Sequence, residues 1–436
     1  MPQHIPRSAV SALFLSTDSF NPLPPGSLGP KGQVPGQFLE GLQNVEEIRD
    51  LYFSSIHRWL PMISKARLTQ ASNDPQLKYD GTTVLLLTCM KLVTTTPHRN
   101  KAFELPLYQL AKQFYFCVET AGSICIPLLQ SSVLIAVYEF SQGLYPAAYL
   151  TIAQAARHGT MMGLHYRGKA ARMFHEAETW TQREEERRTW WAVLLVDRYL
   201  HAGTYGFPII TCDPVKENFL PCDDASWDTG LLGLNESFLS STPSRSLKGG
   251  QFGTLCRTCH IFGRVVRHKY DDILEIPDKL NEAIQLNRAI IALESTFEDP
   301  TTGCEFKDCD VCRALCYSAR MILYNMYAYN QRYNGTDIQK ASIEGMATIG
   351  LSVARMAGRV QEAVMTNIGA VSPLICHCLY QAAGRCARSL RENCQSGMKM
   401  ALTTIIDTFS MLRDRWRICD DYLKLLEVED GIMVES

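Results

Sequence analysis

The chain has 436 residues, 46% of them hydrophobic and 20% charged, and 43 Lys and Arg against 45 Asp and Glu give a formal charge of −2. That length suits one large helical domain or two ordinary ones, and the composition is that of a folded soluble protein. Near neutrality excludes a free-standing basic nucleic-acid binder, because phosphate contacts need clustered Lys and Arg.

The first residues, MPQHIPRSAV, hold no apolar core long enough for a signal peptide. Without a secretory route, the 16 cysteines read as reduced thiols serving mostly as small core hydrophobes. Positions 1 to 43 carry Pro22, Pro24, Pro25, Pro30 and Pro35 among Gly26, Gly29, Gly32 and Gly36, the pattern of an extended, mobile arm. One apolar island, Ala12 to Leu15 with Phe20, stands in it as a segment that could dock on the body.

From Val45 the pattern is helical almost throughout. Val45, Ile48, Leu51, Tyr52 and Ile56 form an i, i+3, i+4 stripe that Pro61 closes, and further helices are predicted over about 82–96, 104–121, 124–143 and 146–163. The apolar stretch from Ile124 to Tyr138 is interrupted by Pro127, Gln130, Ser131 and Ser132, so it reads as a core helix and not as a membrane span. Short connections such as Gly143 to Pro146 predict stacked antiparallel hairpins. The run from Arg183 to Asp224 then reads as a helix and its loop. Glu184, Glu185 and Glu186 are expected in its first turn, where the helix dipole favours acids. Trp190, Trp191 and Val193 to Val196 predict burial on most sides. Asp197 and Arg198 end that apolar run, and a buried charge costs several kcal/mol unless paired, so each needs a fixed partner on the loop or a neighbouring helix. Gly206 and Pro208 stop the helix.

The pattern lapses between Gly206 and Gly263, where Ser237 to Gly253 reads as a surface loop. Periodicity resumes near Arg264 and runs on to Leu293, then recurs over about 308–332, 337–366, 372–394 and 399–427. The fold class predicted is all-α, a large bundle of stacked antiparallel helical hairpins over 44–436 behind the arm of 1–43.

Three strings in this order resemble fungal-specific transcription factors of the zinc binuclear cluster family, in the regulatory region in the middle of those proteins. The first runs from Asp50 to Phe53 and on through His57 to Pro61. The second is Ala153 to Arg157, leading to Gly163, Leu164 and His165. The third is Glu185 to Trp191, holding Arg188, Trp190 and Trp191, followed by Asp197, Arg198, Gly206, Pro208, Leu220 and Pro221. The resemblance covers roughly 44–260 and implies a transcriptional regulator in a fungal nucleus, with these signature residues in structural roles. It also implies a DNA-binding module holding two zinc ions on six closely spaced cysteines. No such set is present here, since the first cysteine is Cys89, inside a predicted helix. The implied regulator therefore acts through a protein partner, such as a DNA-binding zinc-cluster relative, or responds to a small-molecule effector, with no sequence-specific DNA binding and no membrane attachment of its own.

Other constellations are weaker. Cys304, Cys309, Cys312 and Cys316 give C-x4-C-x2-C-x3-C, whose first three match an iron–sulfur spacing, but Cys312 and Cys316 fall on a predicted helix that also carries Leu315, Met321 and Leu323. Core thiols are the favoured reading, and Cys256-Arg-Thr-Cys259-His260 matches a haem-attachment string only by accident. Asp271, Asp272 and Glu275 at helical spacing resemble one magnesium box of helical terpene cyclases, but the second box is missing, and a solvated acidic turn before Pro277 is favoured. Met161, Met162, Trp227, Tyr317, Tyr324, Tyr327 and Tyr329 are expected in the core. No cofactor, metal or catalytic residue is expected. The competing class is a helical metabolite-binding protein or a magnesium-dependent enzyme on the same scaffold.

Overall fold

The computed structural model describes residues 34, 36–40, 42, 44–74, 80–96, 105–165, 177–203, 206–215, 218–238, 250–297, 310–392 and 396–430. Among them the one β feature is an isolated bridge between Phe219 and Ser237, and everything regular is helical. The apolar island of Ala12 to Leu15 with Phe20 lies outside the described residues, as do Cys304 and Cys309. No helix of the described residues is long and apolar enough to cross a membrane. The chain divides into two compact units, the first of Met1–Phe140, Leu144–Asp197 and Ile210–Gly253, the second of Ser141–Gly143, Arg198–Ile209 and Thr254–Ser436.

The first unit opens with α1 (Gly36–Glu40), whose Phe38 stacks on Phe114 at 4.1 Å. Helix α2 (Val45–Ser54) begins at an Asn44 cap and ends at Ser54, ahead of Pro61, because a 3-10 turn over Ile56–Arg58 takes up the last apolar residues. A short helix, α3 (Lys65–Asn73), follows from a Ser64 cap. Its weak periodicity hid it in the sequence. Helices α4 (Gly81–Thr94), α5 (Pro106–Thr120), α6 (Ile126–Ser141) and α7 (Tyr145–Met161) lie within a residue or two of their predicted bounds. Helix α6 is the centre of this core: Leu128, Leu129 and the run Val133 to Val137 are all 0% exposed. Its Glu139 is buried too, and accepts from Tyr108 Oη at 2.7 Å and Lys112 Nζ at 2.9 Å. Helix α8 (Trp180–Leu200) crosses from the first unit to the second between Asp197 and Arg198. The stub α9 (Asp224–Thr229) is capped by Asp223, whose carboxylate accepts from Ser226 N.

The second unit contains most of α10 (Gln251–Tyr270), then α11 (Ile276–Ser295), α12 (Asp310–Tyr327), α13 (Asp337–Asn367), α14 (Cys376–Glu392), α15 (Ser396–Leu412) and α16 (Ile418–Asp430). Helix α13 packs on both α12 and α15, and α14 packs on α15 and α16. Several predicted boundaries are corrected: α12 ends at Tyr327 and not at 332, and α14 starts at Cys376 and not at 372, after a 3-10 turn over Pro373–Ile375. Helix α10 starts at Gln251 and not near Arg264, because its buried stripe of Phe252, Cys256, Cys259, Phe262 and Val266 is partly small and polar in appearance. The run through Leu293 breaks at Asp271, whose carboxylate caps a turn by accepting from Ile273 N and Leu274 N. The stretch 399–427 is two helices, split where buried Trp416 turns its indole Nε1 onto Val371 O at 3.0 Å.

Candidate functional site

The densest chemistry of the first unit surrounds the opening half of α8. The helix starts at Trp180, capped by Thr179 and Gln182 in a reciprocal box: Thr179 Oγ1 accepts from Gln182 N at 3.2 Å and Gln182 Oε1 accepts from Thr179 N at 3.1 Å. Glu184 and Glu185 are therefore past the first turn, which corrects the expectation that they serve the helix dipole. Both are buried, at 0% and 4% exposure. Glu184, Arg188, Trp191 and Leu195 follow one another at spacings of four, three and four, so the charged pair occupies the helix's apolar stripe. A carboxylate on that stripe is the signal that could have marked it as buried.

Arg188 is 0% exposed and uses its whole guanidinium. Nε donates to Glu184 Oε1 at 3.0 Å, Nη1 to Asp224 Oδ1 at 2.9 Å and Pro61 O at 3.2 Å, and Nη2 to Cys222 O at 2.7 Å. The faces of the group lie over Trp227 at 4.9 Å and Phe252 at 5.6 Å. Burial alone would lower the Arg188 pKa, but the Asp224 and Glu184 carboxylates outweigh it and hold the group charged. Glu184 completes its shell with Cys222 N at 2.9 Å, Asn235 Nδ2 at 2.9 Å and a short contact from Arg187. Asp224 also accepts from Phe252 N at 3.0 Å. The cluster thus ties α8 to the Pro61 segment, to the Leu220–Asp224 loop and to the start of α10. Burial and the Glu184 carboxylate push the Cys222 thiol up to about 12, so it is a neutral thiol in this setting.

Glu185 anchors a second knot. Its Oε1 accepts from Ser64 N at 2.9 Å and Gln130 Nε2 at 3.2 Å, and its Oε2 is paired with Arg67. Gln130 Nε2 also donates to Met62 O and Thr189 Oγ1, each at 3.2 Å. Nearby, buried His57 meets Asp228 at 2.9 Å, and Lys65 meets the same carboxylate at 2.7 Å. Burial lowers the His57 pKa more than Asp228 raises it, while bonds from His57 and Lys65 outweigh burial at Asp228 and hold its carboxyl at about 2. Arg67, Gln130, Asp224 and Asn235 were not marked as site residues in the sequence, where Gln130 counted only as a polar break in an apolar stretch and Asp224 only as the end of a loop.

Of the signature residues, Trp190 packs its ring on Gly159 and faces His165 edge-on at 6.4 Å. Trp191 donates its indole N–H to Phe219 O at 3.1 Å. Gly163 has φ of +70°, which closes α7 and lets Leu164 N bond Gly159 O at 3.0 Å. Asp197 Oδ2 accepts from Thr211 N at 2.9 Å and Thr211 Oγ1 at 2.7 Å, tying the helix to its loop. Leu220 is buried and bonds Glu236 O at 2.9 Å, next to buried Pro221. These residues stand in the first unit. Arg198, in the second, is buried with Nη1 3.9 Å from Cys259 Sγ, in room left by Gly263. Gly206, with φ of +72°, and Pro208 are exposed and join no cluster.

The remaining candidates are separate. Cys312 and Cys316 are buried on α12, and Cys256 and Cys259 on α10. Asp271, Asp272 and Glu275 occupy the turn between α10 and α11, with Glu275 at the α11 cap, so they do not share a helix face. Trp227, Tyr324 and Tyr327 are core residues, whereas Tyr329 is 61% exposed.

The fungal specific transcription factor domain family matches residues 50–342. The chain belongs to that family. It is 36% identical over 152 residues to transcription factor BOA15 of Botryotinia fuckeliana, a match covering 35% of this chain and 84% of that protein. It is 24% identical over 211 residues to the pigment biosynthesis transcriptional activator pigB of Monascus ruber, covering 46% of this chain and 38% of the relative. A third relative, the ascochitine biosynthesis cluster transcriptional regulator of Didymella fabae, is 23% identical over 241 residues, covering 52% and 42%. The match thus spans most of the first relative and less than half of the other two. No solved structure matches the chain. The family and these relatives are named as transcription factors and transcriptional regulators.

Proposed function

We propose that this chain regulates transcription in a fungal nucleus, controls genes of a metabolic or secondary-metabolite pathway, and acts through a protein partner. The observation that carries the reading is the family match over residues 50–342, joined to relatives whose names concern pigment and ascochitine biosynthesis. The partner step is supported by the sequence, whose 436 residues hold no C-x2-C-x6-C string and carry a formal charge of −2. A DNA-binding zinc-cluster factor then supplies the promoter contact. The signature residues from Gly163 to Pro221 serve as braces of the helical body, in keeping with the buried bonds of Arg188, Trp191 and Asp197.

The test is a tagged copy imaged in the fungus, with a pull-down and a transcript profile of the deletion strain. Nuclear signal, recovery of a zinc-cluster factor and a coordinated fall in one set of transcripts are expected. Cytoplasmic signal with unchanged transcripts would refute the regulator reading. Tight binding of the purified chain to one duplex, falling steeply with salt, would refute the partner step.

A further inference from the structure

An open cleft of about 250 Å³ lies in the first unit. Helix α3 contributes Arg67, Leu68, Gln70 and Ala71 to its lining, and α8 contributes Gln182 and Glu185. Thr83 and Leu86 of α4 and Pro127 and Gln130 of α6 complete it. At ~30 Å³ per water the space equals roughly eight waters, which suits a small metabolite and is too little for a nucleotide cofactor.

We propose that this cleft binds a small organic carboxylate, held by Arg67. The charges of the lining decide the ligand's class. Among the described residues that line the cleft, Arg67 is the one cation and Glu185 the one anion. Glu185 is already engaged by Ser64 N, Gln130 Nε2 and Arg67, and its side chain is only 6% exposed. Arg67 differs: its side chain is 40% exposed, and its pairing with Glu185 runs through Nη1 alone. A guanidinium carries a planar fork of donors, so one edge can hold Glu185 while the rest takes a second acceptor. A single cation whose charge is shared with a buried carboxylate matches a monoanion, and a phosphate dianion would need more positive charge than the described lining offers. Gln70, Gln182 and Thr83 supply amide and hydroxyl partners for the ligand's other oxygens, and Leu68, Leu86 and Pro127 supply an apolar wall for its carbon frame.

The site joins α3 to α8, the helix that carries Arg188 and both signature tryptophans. A bound acid bridges the two helices and stabilises the first unit by mass action. Its biological meaning, that the regulator senses an acid, rests on the proposed function, but binding to the purified chain is measured independently of localisation and transcripts. Either can fail while the other holds.

The experiment titrates the full chain with two monoanions, benzoate and pyruvate, using methyl benzoate and inorganic phosphate as controls, and follows the thermal midpoint and the calorimetric heat. A saturable rise of about 3 °C at roughly ten times Kd is expected with at least one acid. No such rise is expected with the ester or with phosphate. Arg67→Gln should abolish the response. Because that change also unpairs Glu185, Ala71→Phe provides a second variant, filling the cleft while leaving the ion pair intact, and it should abolish the response as well. No saturable response to either acid overturns the proposal. So does an equal response to methyl benzoate or phosphate, or a response that survives in either variant.

Discussion

At the scale of single residues, the first unit depends on one guanidinium. Removing one partner of a buried, hydrogen-bonded ion pair leaves an uncompensated charge and costs ~3–5 kcal/mol. Arg188→Met is expected to lower the unfolding free energy by about that amount, because Glu184 and Asp224 lose their counter-charge together. Arg188→Lys should recover little, since an ammonium cannot reach Glu184, Asp224, Pro61 and Cys222 at once. Urea unfolding of both variants checks this. A second prediction concerns His377, buried on α14 with Nδ1 3.3 Å from Ser318 Oγ. Burial, with a smaller contribution from Lys269, lowers its pKa from 6.5 to about 4. The folded state therefore resists protonation that the unfolded chain accepts, so stability is full above pH 6.5 and declines as pH falls toward 4. The decline should approach ~3 kcal/mol across that window, and His377→Gln should remove that part of the pH dependence in urea melts at pH 7 and 4.5.

At the scale of elements, two glycines give opposite predictions. A Cβ on Gly159 of α7 would lie 2.5 Å from Trp190 Cζ3, whereas one on Gly358 of α13 meets nothing within 4 Å. Gly159→Ala should cost ~1–3 kcal/mol through overpacking. Gly358→Ala should add about 0.5–1 kcal/mol by removing backbone freedom from the unfolded chain. Equilibrium unfolding of the pair measures both. Elements were legible where the apolar stripe was pure: α4 to α7 and α13 were found to within a residue or two, because Leu, Ile, Val and aromatic residues recur at helical spacing, whereas α12 stops at Tyr327 instead of running to 332 and α14 starts at Cys376 instead of 372. Helix α10 was truncated because Thr254, Cys256, Thr258 and Cys259 do not look apolar, although Cys256, Thr258 and Cys259 are buried. The Arg188 cluster was half legible. Arg188 was marked as part of a signature, but its partners Pro61, Cys222 and Asp224 come from distant segments, and no local pattern links residues that meet only after folding.

At the scale of the whole molecule, each unit has its own buried core and its own large anchor, Arg188 in one and Trp416 in the other. Calorimetry should therefore resolve two transitions. Arg188→Met should lower one, and Trp416→Ala, at a cost of ~3–5 kcal/mol, should lower the other. The second unit also takes in Ser141–Gly143, from the end of α6, where Gln142 Nε2 donates to Arg415 O across 273 residues of chain. On a ribosome adding about 5–20 residues per second, that partner is made roughly 15–55 s after Gln142. Throughout that interval the α6–α7 corner waits for the turn between α15 and α16, not yet synthesised. The second unit is thus the last part of the protein to close, since one of its bonds joins a residue translated early to one translated near the end.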